Sequence, residues 1–213
     1  MVDLPVLLST AYFAPVNYYA RILKHQPVYI EQFEHFNKQT YRNRCVILGP
    51  NGVLPLVVPV IKGRLKKILI KDLKIAYDED WQRNHWRSLF SAYNSSPFFE
   101  FYQDEIIPLF ETKFTFLLDL NSAIHQTVCS LLEMNNNFIL TTGFEKVPPE
   151  TLNFREKMSP KNKKETDADF HPVSYTQVFD ERFGFVPNLS ILDLLFNEGP
   201  NSYSVLQKSI AAD

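Results

Sequence analysis

Gly49-Pro50-Asn51-Gly52 stands between Cys45-Val46-Ile47-Leu48 and an apolar run from Leu54 to Val60. Glycine, proline and asparagine favour tight turns, and β-branched residues favour strands, so residues 43–60 read as a β-hairpin. Pro55 and Pro59 each lack a backbone donor, which makes the second arm an edge or broken strand. Ile68-Leu69-Ile70 is a third apolar run nearby, set off by Gly63 and the basic residues Lys62, Arg64, Lys66 and Lys67. Three such runs in succession predict an antiparallel meander.

Around the hairpin the pattern alternates between strands and helices. Val6 to Leu8 reads as a buried first strand. Pro15 suits a helix start, and Val16, Tyr19, Ala20 and Leu23 follow at helical spacing, so residues 15–24 read as a helix. Val28-Tyr29-Ile30 is the next strand. A helix between two strands permits them to pair in parallel, so the sheet is either antiparallel or mixed.

Beyond residue 78 the period becomes helical. Trp81, His85, Leu89 and Tyr93 recur every four residues behind Asp78, Glu79 and Asp80, which predicts a helix over 79–93. Ser96 followed by Pro97 reads as the cap of a second helix running to Leu109. Leu117 to Glu133 reads as a third, and Phe138-Ile139-Leu140 as a short strand. Val186-Pro187-Asn188-Leu189-Ser190 opens a last helix, over about 188–198, which Gly199-Pro200 stops. Residues 148–172 show no apolar period, and nine of the fifteen residues from Arg155 to Asp169 are charged. That stretch is either a solvated loop or a segment that orders over a ligand.

The fold class expected is α+β, in a single domain over 1–213. A mostly antiparallel or mixed sheet from residues 5–75 is covered by helices from 79–133, with the C-terminal helix packed back. Thirty aromatic residues, 18 Phe, 10 Tyr and 2 Trp, imply an aromatic-rich core.

Composition removes several function classes. The net charge of -2 and pI near 6.2 argue against a general nucleic-acid binder, which needs a basic surface. Cys45 and Cys129 show no metal-ligand spacing, and the five histidines are scattered, so no metal is expected. No Gly-rich phosphate loop is present, and no cofactor is expected. The N-terminus lacks the basic and apolar regions of a signal peptide, and no window approaches a membrane span. A cytoplasmic chain with reduced thiols is the resulting expectation.

Three features could carry chemistry. His85 lies in the middle of an apolar helical stripe. Desolvation there keeps an imidazole neutral, either as a general base or as a core histidine with one hydrogen bond. Lys38-Gln39-Thr40-Tyr41-Arg42-Asn43-Arg44 packs three cations into seven residues. If this stretch is extended, Arg42 and Arg44 share a face suited to a phosphate or carboxylate; otherwise it is a solvated polar strand. Glu31 closes the second strand, where it either orients His85 or pairs with Lys38 or Arg44.

These stretches together resemble the WbqC-like family. The similar pieces are Ala11-Tyr12-Phe13; Tyr29-Ile30-Glu31; Lys38 with Tyr41-Arg42-Asn43-Arg44; Gly49-Pro50-Asn51-Gly52 with Val57-Val58-Pro59-Val60; Trp81 with His85; Tyr93 with Pro97-Phe98-Phe99; and the block from Gly184 to Gly199. Family members often carry a Tyr-Leu-Pro-Trp-like run and two acids after the second strand. Here Phe13-Ala14-Pro15-Val16 lacks the Trp, and Glu31-Gln32 supplies one acid.

The resemblance implies a bacterial protein linked with surface-polysaccharide (O-antigen) synthesis. Two readings of its role follow. In the first it transfers a group involving an activated sugar. His85 and Glu31 are then the catalytic pair, and Tyr12, Lys38, Tyr41, Arg42, Arg44, Trp81 and Tyr93 bind a phosphorylated or nucleotide-activated sugar. In the second it is a non-catalytic module that binds a ligand or partner of the same pathway.

Overall fold

The computed structural model describes residues 4–61, 67–146, 150–160 and 169–210. Strand β1 (Val6–Ser9) leads through helix α1 (Val16–Lys24) to β2 (Val28–Glu31). A 3-10 turn at Tyr41–Asn43 enters the hairpin of β3 (Arg44–Gly49) and β4 (Gly52–Val57). Three helices follow: α2 (Trp81–Tyr93), α3 (Phe99–Glu111) and α4 (Leu117–Leu131). Then come β5 (Ile139–Leu140), β6 (Leu152–Asn153), α5 (Asp180–Phe183), α6 (Ile191–Glu198) and α7 (Ser202–Lys208).

Helices and sheets are both present, as an α+β reading requires, but among the described residues the sheets are two. One is four-stranded and parallel in the order β5-β2-β1-β6; the other is the antiparallel β3–β4 hairpin. The expected antiparallel meander is corrected on this point. Leu69 makes only an isolated bridge to His35, and Ile70–Asp72 is a 3-10 turn. The basic residues Lys62, Arg64 and Lys66 lie outside the described residues.

The crossover through α1 makes β1 and β2 parallel, with Val6 opposite Val28 and Ser9 opposite Glu31. Val6, Leu8, Val28 and Ile30 point to one face and join the main core, together with Cys45, Ile47 and Leu56 of the hairpin. Trp81, Leu89 and Tyr93 of α2 are buried there, so the predicted stripe packs as expected. Pro97 does not begin α3. Ser96 instead donates its hydroxyl to the Tyr93 carbonyl, and Phe98 holds the N-cap position. Ser190 does cap α6, accepting from the Leu192 N–H.

The second correction concerns the charged excursion. Residues 152–153 form β6, paired with β1 through Val6–Leu152 and Leu7–Asn153. Backbone bonds Leu152 N–H to Pro5 O and Phe154 N–H to Leu7 O hold it there. A two-residue strand leaves no periodic trace in sequence, which is why it reads as loop. Pro148, Pro149 and residues 161–168 lie outside the described residues.

Candidate functional site

Strand order places a topological switch beside β1. The chain leaves β1 through α1 to β2 on one side, and β6 returns on the other. In open parallel sheets, ligands bind outside the carboxyl ends of strands at such a point, because the loops diverge there. The residues that follow β1, β2, β5 and β6 are Thr10, Gln32, Thr141 and Phe154-Arg155, and they gather polar and charged groups at this edge.

Arg42 is the central cation. It is 2% exposed. Its Nε donates to Glu34 Oε1 at 2.7 Å, and Nη2 donates to Glu34 Oε2 and to Ser9 Oγ. Nη2 also reaches Oε1 of Glu156 at 3.3 Å, and the Glu156 side chain is 74% exposed. Burial opposes the Arg42 charge, but the hydrogen bonds and charge of Glu34, with Glu156, outweigh it and raise the guanidinium's pKa. Ser9 passes the network on, donating to the Arg155 carbonyl.

Arg155 is the second buried cation. Its Nη1 donates to Glu31 Oε2 at 2.8 Å, and Nη2 donates to the carbonyls of Glu145 and Lys146. Its Nε meets Asn153 Oδ1, and its guanidinium stacks over Phe144 at 4.8 Å. Glu31 Oε1 accepts from Phe33 N–H and from Thr141 Oγ1. Glu31 is therefore fully engaged in holding the ends of β2, β5 and β6 together.

Two small crevices flank the end of β1 and share Thr10, Ala11 and Tyr18. The first adds Ser9, Tyr41, Arg42 and Arg155; the second adds Asn121, His125 and Phe138. Each has about 10 Å³ of free space, roughly the room of one water molecule. Asn121 Nδ2 donates to the Arg42 carbonyl, while its buried Oδ1 has no partner. His125 stacks on Tyr19, and its Nε2 lies 3.6 Å from Cys129 Sγ. Burial lowers the His125 pKa to about 4 and pushes the Cys129 thiol up to about 12. At neutral pH both are uncharged, so this pair has no thiolate nucleophile.

His85 lies elsewhere, in the core between the helices and the hairpin. Its Nδ1 is 2.9 Å from the Tyr12 hydroxyl, and its ring packs edge-on against Trp81. Burial lowers its pKa to about 4, opposed by a hydrogen bond to the Val57 backbone. The direction of the bond between Nδ1 and the Tyr12 hydroxyl follows the ring tautomer. Tyr93 donates to Asp193 Oδ1, deep in the core.

The structure thus separates the residues that the sequence suggested. Tyr41 and Arg42 reach the β1 groove. Glu31 stands beside it, on the wall of a larger hollow of about 500 Å³ under residues 139–145. Lys38 and Arg44 line a further hollow, of about 280 Å³, at the base of the hairpin. His85 lines none of these four, and it shares no hydrogen bond with Glu31. Arg42 and Arg44 do not share a face, because the 3-10 turn at Tyr41–Asn43 replaces the extended backbone that would align them.

Glu34, Asn121, His125 and Arg155 were not singled out as a group by the sequence. Asn121, His125 and Cys129 stand four apart on a predicted helix, so their shared face was readable. Arg155 carried no such signal. Among the described residues, no group of three or more His, Cys, Asp or Glu is placed to hold a metal ion, and no helix is long and apolar enough to cross a membrane.

Comparison with known proteins adds family and relatives. The chain is 27% identical over 195 residues to the uncharacterized protein Rv1507c of Mycobacterium tuberculosis (strain ATCC 25618 / H37Rv), covering 81% of this chain and 84% of that one. No solved structure matches it. The model of the WbqC-like protein family matches residues 10–166 and 154–205, which include both flanks of the groove. The chain belongs to the WbqC-like protein family.

Proposed function

We propose that this protein binds a phosphorylated or nucleotide-activated sugar at the carboxyl edge of β1 and β6, in the service of bacterial surface-polysaccharide synthesis. The pathway follows from what WbqC-like membership implies. The observation that carries the site is a buried Arg42 at the switch point, in contact with the exposed carboxylate of Glu156. An incoming phosphate takes the place of that carboxylate on the guanidinium, for which a planar fork is suited. Sugar hydroxyls then meet Thr10 and the partnerless Asn121 Oδ1. The groove opens from its water-sized state as Glu156 leaves.

Group transfer is the fuller form of this reading. It assigns the base to His125 rather than His85, because His125 lines the groove. The acceptor O–H gives its proton to the imidazole as its oxygen bonds to the sugar carbon. The bond from that carbon to the leaving phosphate breaks, and Arg42 receives the phosphate charge. A bound anion favours the imidazolium and so raises the His125 pKa from its desolvated value.

The second reading is a non-catalytic binding module. It is favoured by the compensated charges, since Arg42 and Arg155 each already hold a buried carboxylate. Calorimetric titration of UDP-glucose into the wild type and Thr10→Val tests both. Saturable binding weakened in Thr10→Val supports the groove. Sugar transfer to an acceptor that is lost in a folded His125→Gln variant supports the enzyme, and binding without product supports the module. Absence of binding contradicts both.

A further inference from the structure

The parallel sheet has two faces, and the main core occupies one. Leu7, Tyr29 and Ile139 stand on the other, abreast on three neighbouring strands: Leu7 is opposite Tyr29, and Tyr29 is opposite Ile139. Parallel sheets are ordinarily covered on both faces. Here Ile139 is 49% exposed and Tyr29 is half-buried, while Leu7 is buried yet stands apart from the main core. All three line the hollow of about 500 Å³ under residues 139–145 and form its floor. That size falls in the range of about 300–1,000 Å³ usual for small-molecule sites, unlike the water-sized crevices of the β1 groove.

Residues 141–145 form the other wall, and Arg155 fixes them in place. Its Nη2 donates to the carbonyls of Glu145 and Lys146, and its guanidinium lies 4.8 Å from the centre of the Phe144 ring. One face of that ring is thus stacked on a buried cation, while Phe144 as a whole remains 53% exposed. Held in this way, it is an aromatic surface that needs little ordering when a ligand arrives. Thr142 and Glu145, on either side of it, are exposed and line the same hollow.

The lining decides the chemistry of the occupant. Among the described residues, no lysine, arginine or histidine lines the hollow, and Glu145 brings an exposed carboxylate, so a phosphate is not favoured. Glu31 is buried with its charge met by Arg155, so it offers nothing to a cation. What remains is an apolar floor, an exposed aromatic ring and a polar rim. An uncharged ring with apolar C–H faces and a hydroxylated edge matches all three, since such C–H groups meet the negative face of an aromatic ring. We propose that this hollow is a second binding site, for an uncharged pyranose. A C–H face of the sugar lies on Phe144 and Tyr29, and its hydroxyls turn to Thr142 and Glu145. The site shares no lining residue with the β1 groove, so it goes beyond the function proposed above, and the failure of either reading leaves the other standing.

The probe is methyl β-D-glucopyranoside, whose equatorial hydroxyls leave both ring faces as C–H surface. It is titrated into the full wild-type chain and followed by assigned heteronuclear NMR. The expected result is saturable shifts at Tyr29, Ile139, Thr142 and Phe144, with Thr10, Asn121 and Arg42 unmoved. Glycerol, which has hydroxyls but no ring face, gives no saturable shifts. Phe144→Ala, at an exposed position, weakens the glucoside by about tenfold, and Phe144→Tyr restores it. Thr142→Val weakens it by a smaller factor. Shifts at Thr10 and Asn121 in place of the hollow would put the sugar in the β1 groove and overturn the proposal. Undiminished binding in Phe144→Ala, or no shifts with the glucoside at its highest soluble concentration, would overturn it equally.

Discussion

Arg155 donates to Glu31 at 2.8 Å across a sequence separation of 124, and both side chains are almost wholly buried. The pair ties the end of β2 to the strand that returns on the far side of β1. Glu31 also holds Thr141 after β5, so one carboxylate gathers three of the four strands of the parallel sheet. Arg155→Ala removes the main partner of a buried charge. The expected loss is about 3–5 kcal/mol, measured by urea denaturation. Glu31→Gln with Arg155→Met recovers part of it, since the lone buried charge is gone.

Acid lowers stability through the two buried imidazoles. His85 and His125 each titrate at about 4 in the folded chain, against about 6.5 when unfolded. Below pH 6.5 the unfolded chain binds protons that the native one refuses. Stability therefore falls as pH drops from about 6.5 to about 4, and this contribution levels off below that. Each histidine accounts for roughly 3 kcal/mol of the loss. His85→Gln flattens the pH dependence of the denaturation midpoint between 6.5 and 4. An unchanged slope would mean that His85 is not buried as described.

Much of the architecture was readable because it rests on local signals. The turn at Gly49–Gly52, the four-residue spacing from Trp81 to Tyr93 and the helix after Ser190 all appear close to where periodicity put them. Strand β6 did not, because two residues cannot display a period and their pairing with β1 is set 146 positions away. The site suffered for the same reason. Arg155 enters it only through β6, and Arg42 parts from Arg44 only because a 3-10 turn stands where an extended strand was expected. His85 reads from sequence as either a base or a core histidine; the structure buries it beside Tyr12, apart from the β1 groove.

Asp193 is the counterpart of Glu31 inside the helical half. It accepts from the Tyr93 and Tyr175 hydroxyls and from Gln177 Nε2, at 2.8–2.9 Å. Burial raises its carboxyl pKa, while these three bonds pull it down. Asp193→Ala leaves three donors, two of them on buried residues, without their acceptor and costs about 2–4 kcal/mol, read from thermal denaturation. Tyr93→Phe removes a single donor and costs about 1 kcal/mol.

Gly199 holds φ at +53° beneath the ring of Phe98. A side chain there meets strained backbone and overlaps that ring at once. Gly199→Ala destabilises by about 2–4 kcal/mol, since Phe98 N–H is also fixed to the Phe196 carbonyl. A midpoint unchanged by this variant would contradict the α6–α7 junction as described.

Glu156 competes with any anion for Arg42. Glu156→Gln removes that competing charge while leaving the buried Arg42–Glu34 pair in place. UDP-glucose then binds several-fold more tightly, and the gain shrinks as salt is raised. Weaker binding in this variant would mean that Glu156 contacts the ligand rather than giving way to it.

The central claim is that the carboxyl edge of β1 and β6 is the binding site. Its most direct test is assigned heteronuclear NMR of the wild-type chain titrated with UDP-glucose. The account predicts saturable shifts at Thr10, Tyr18, Asn121 and the Arg42 side chain, with those of His85 and Tyr93 unmoved. Shifts clustered around His85 and Trp81, or no shifts under saturating ligand, would contradict it.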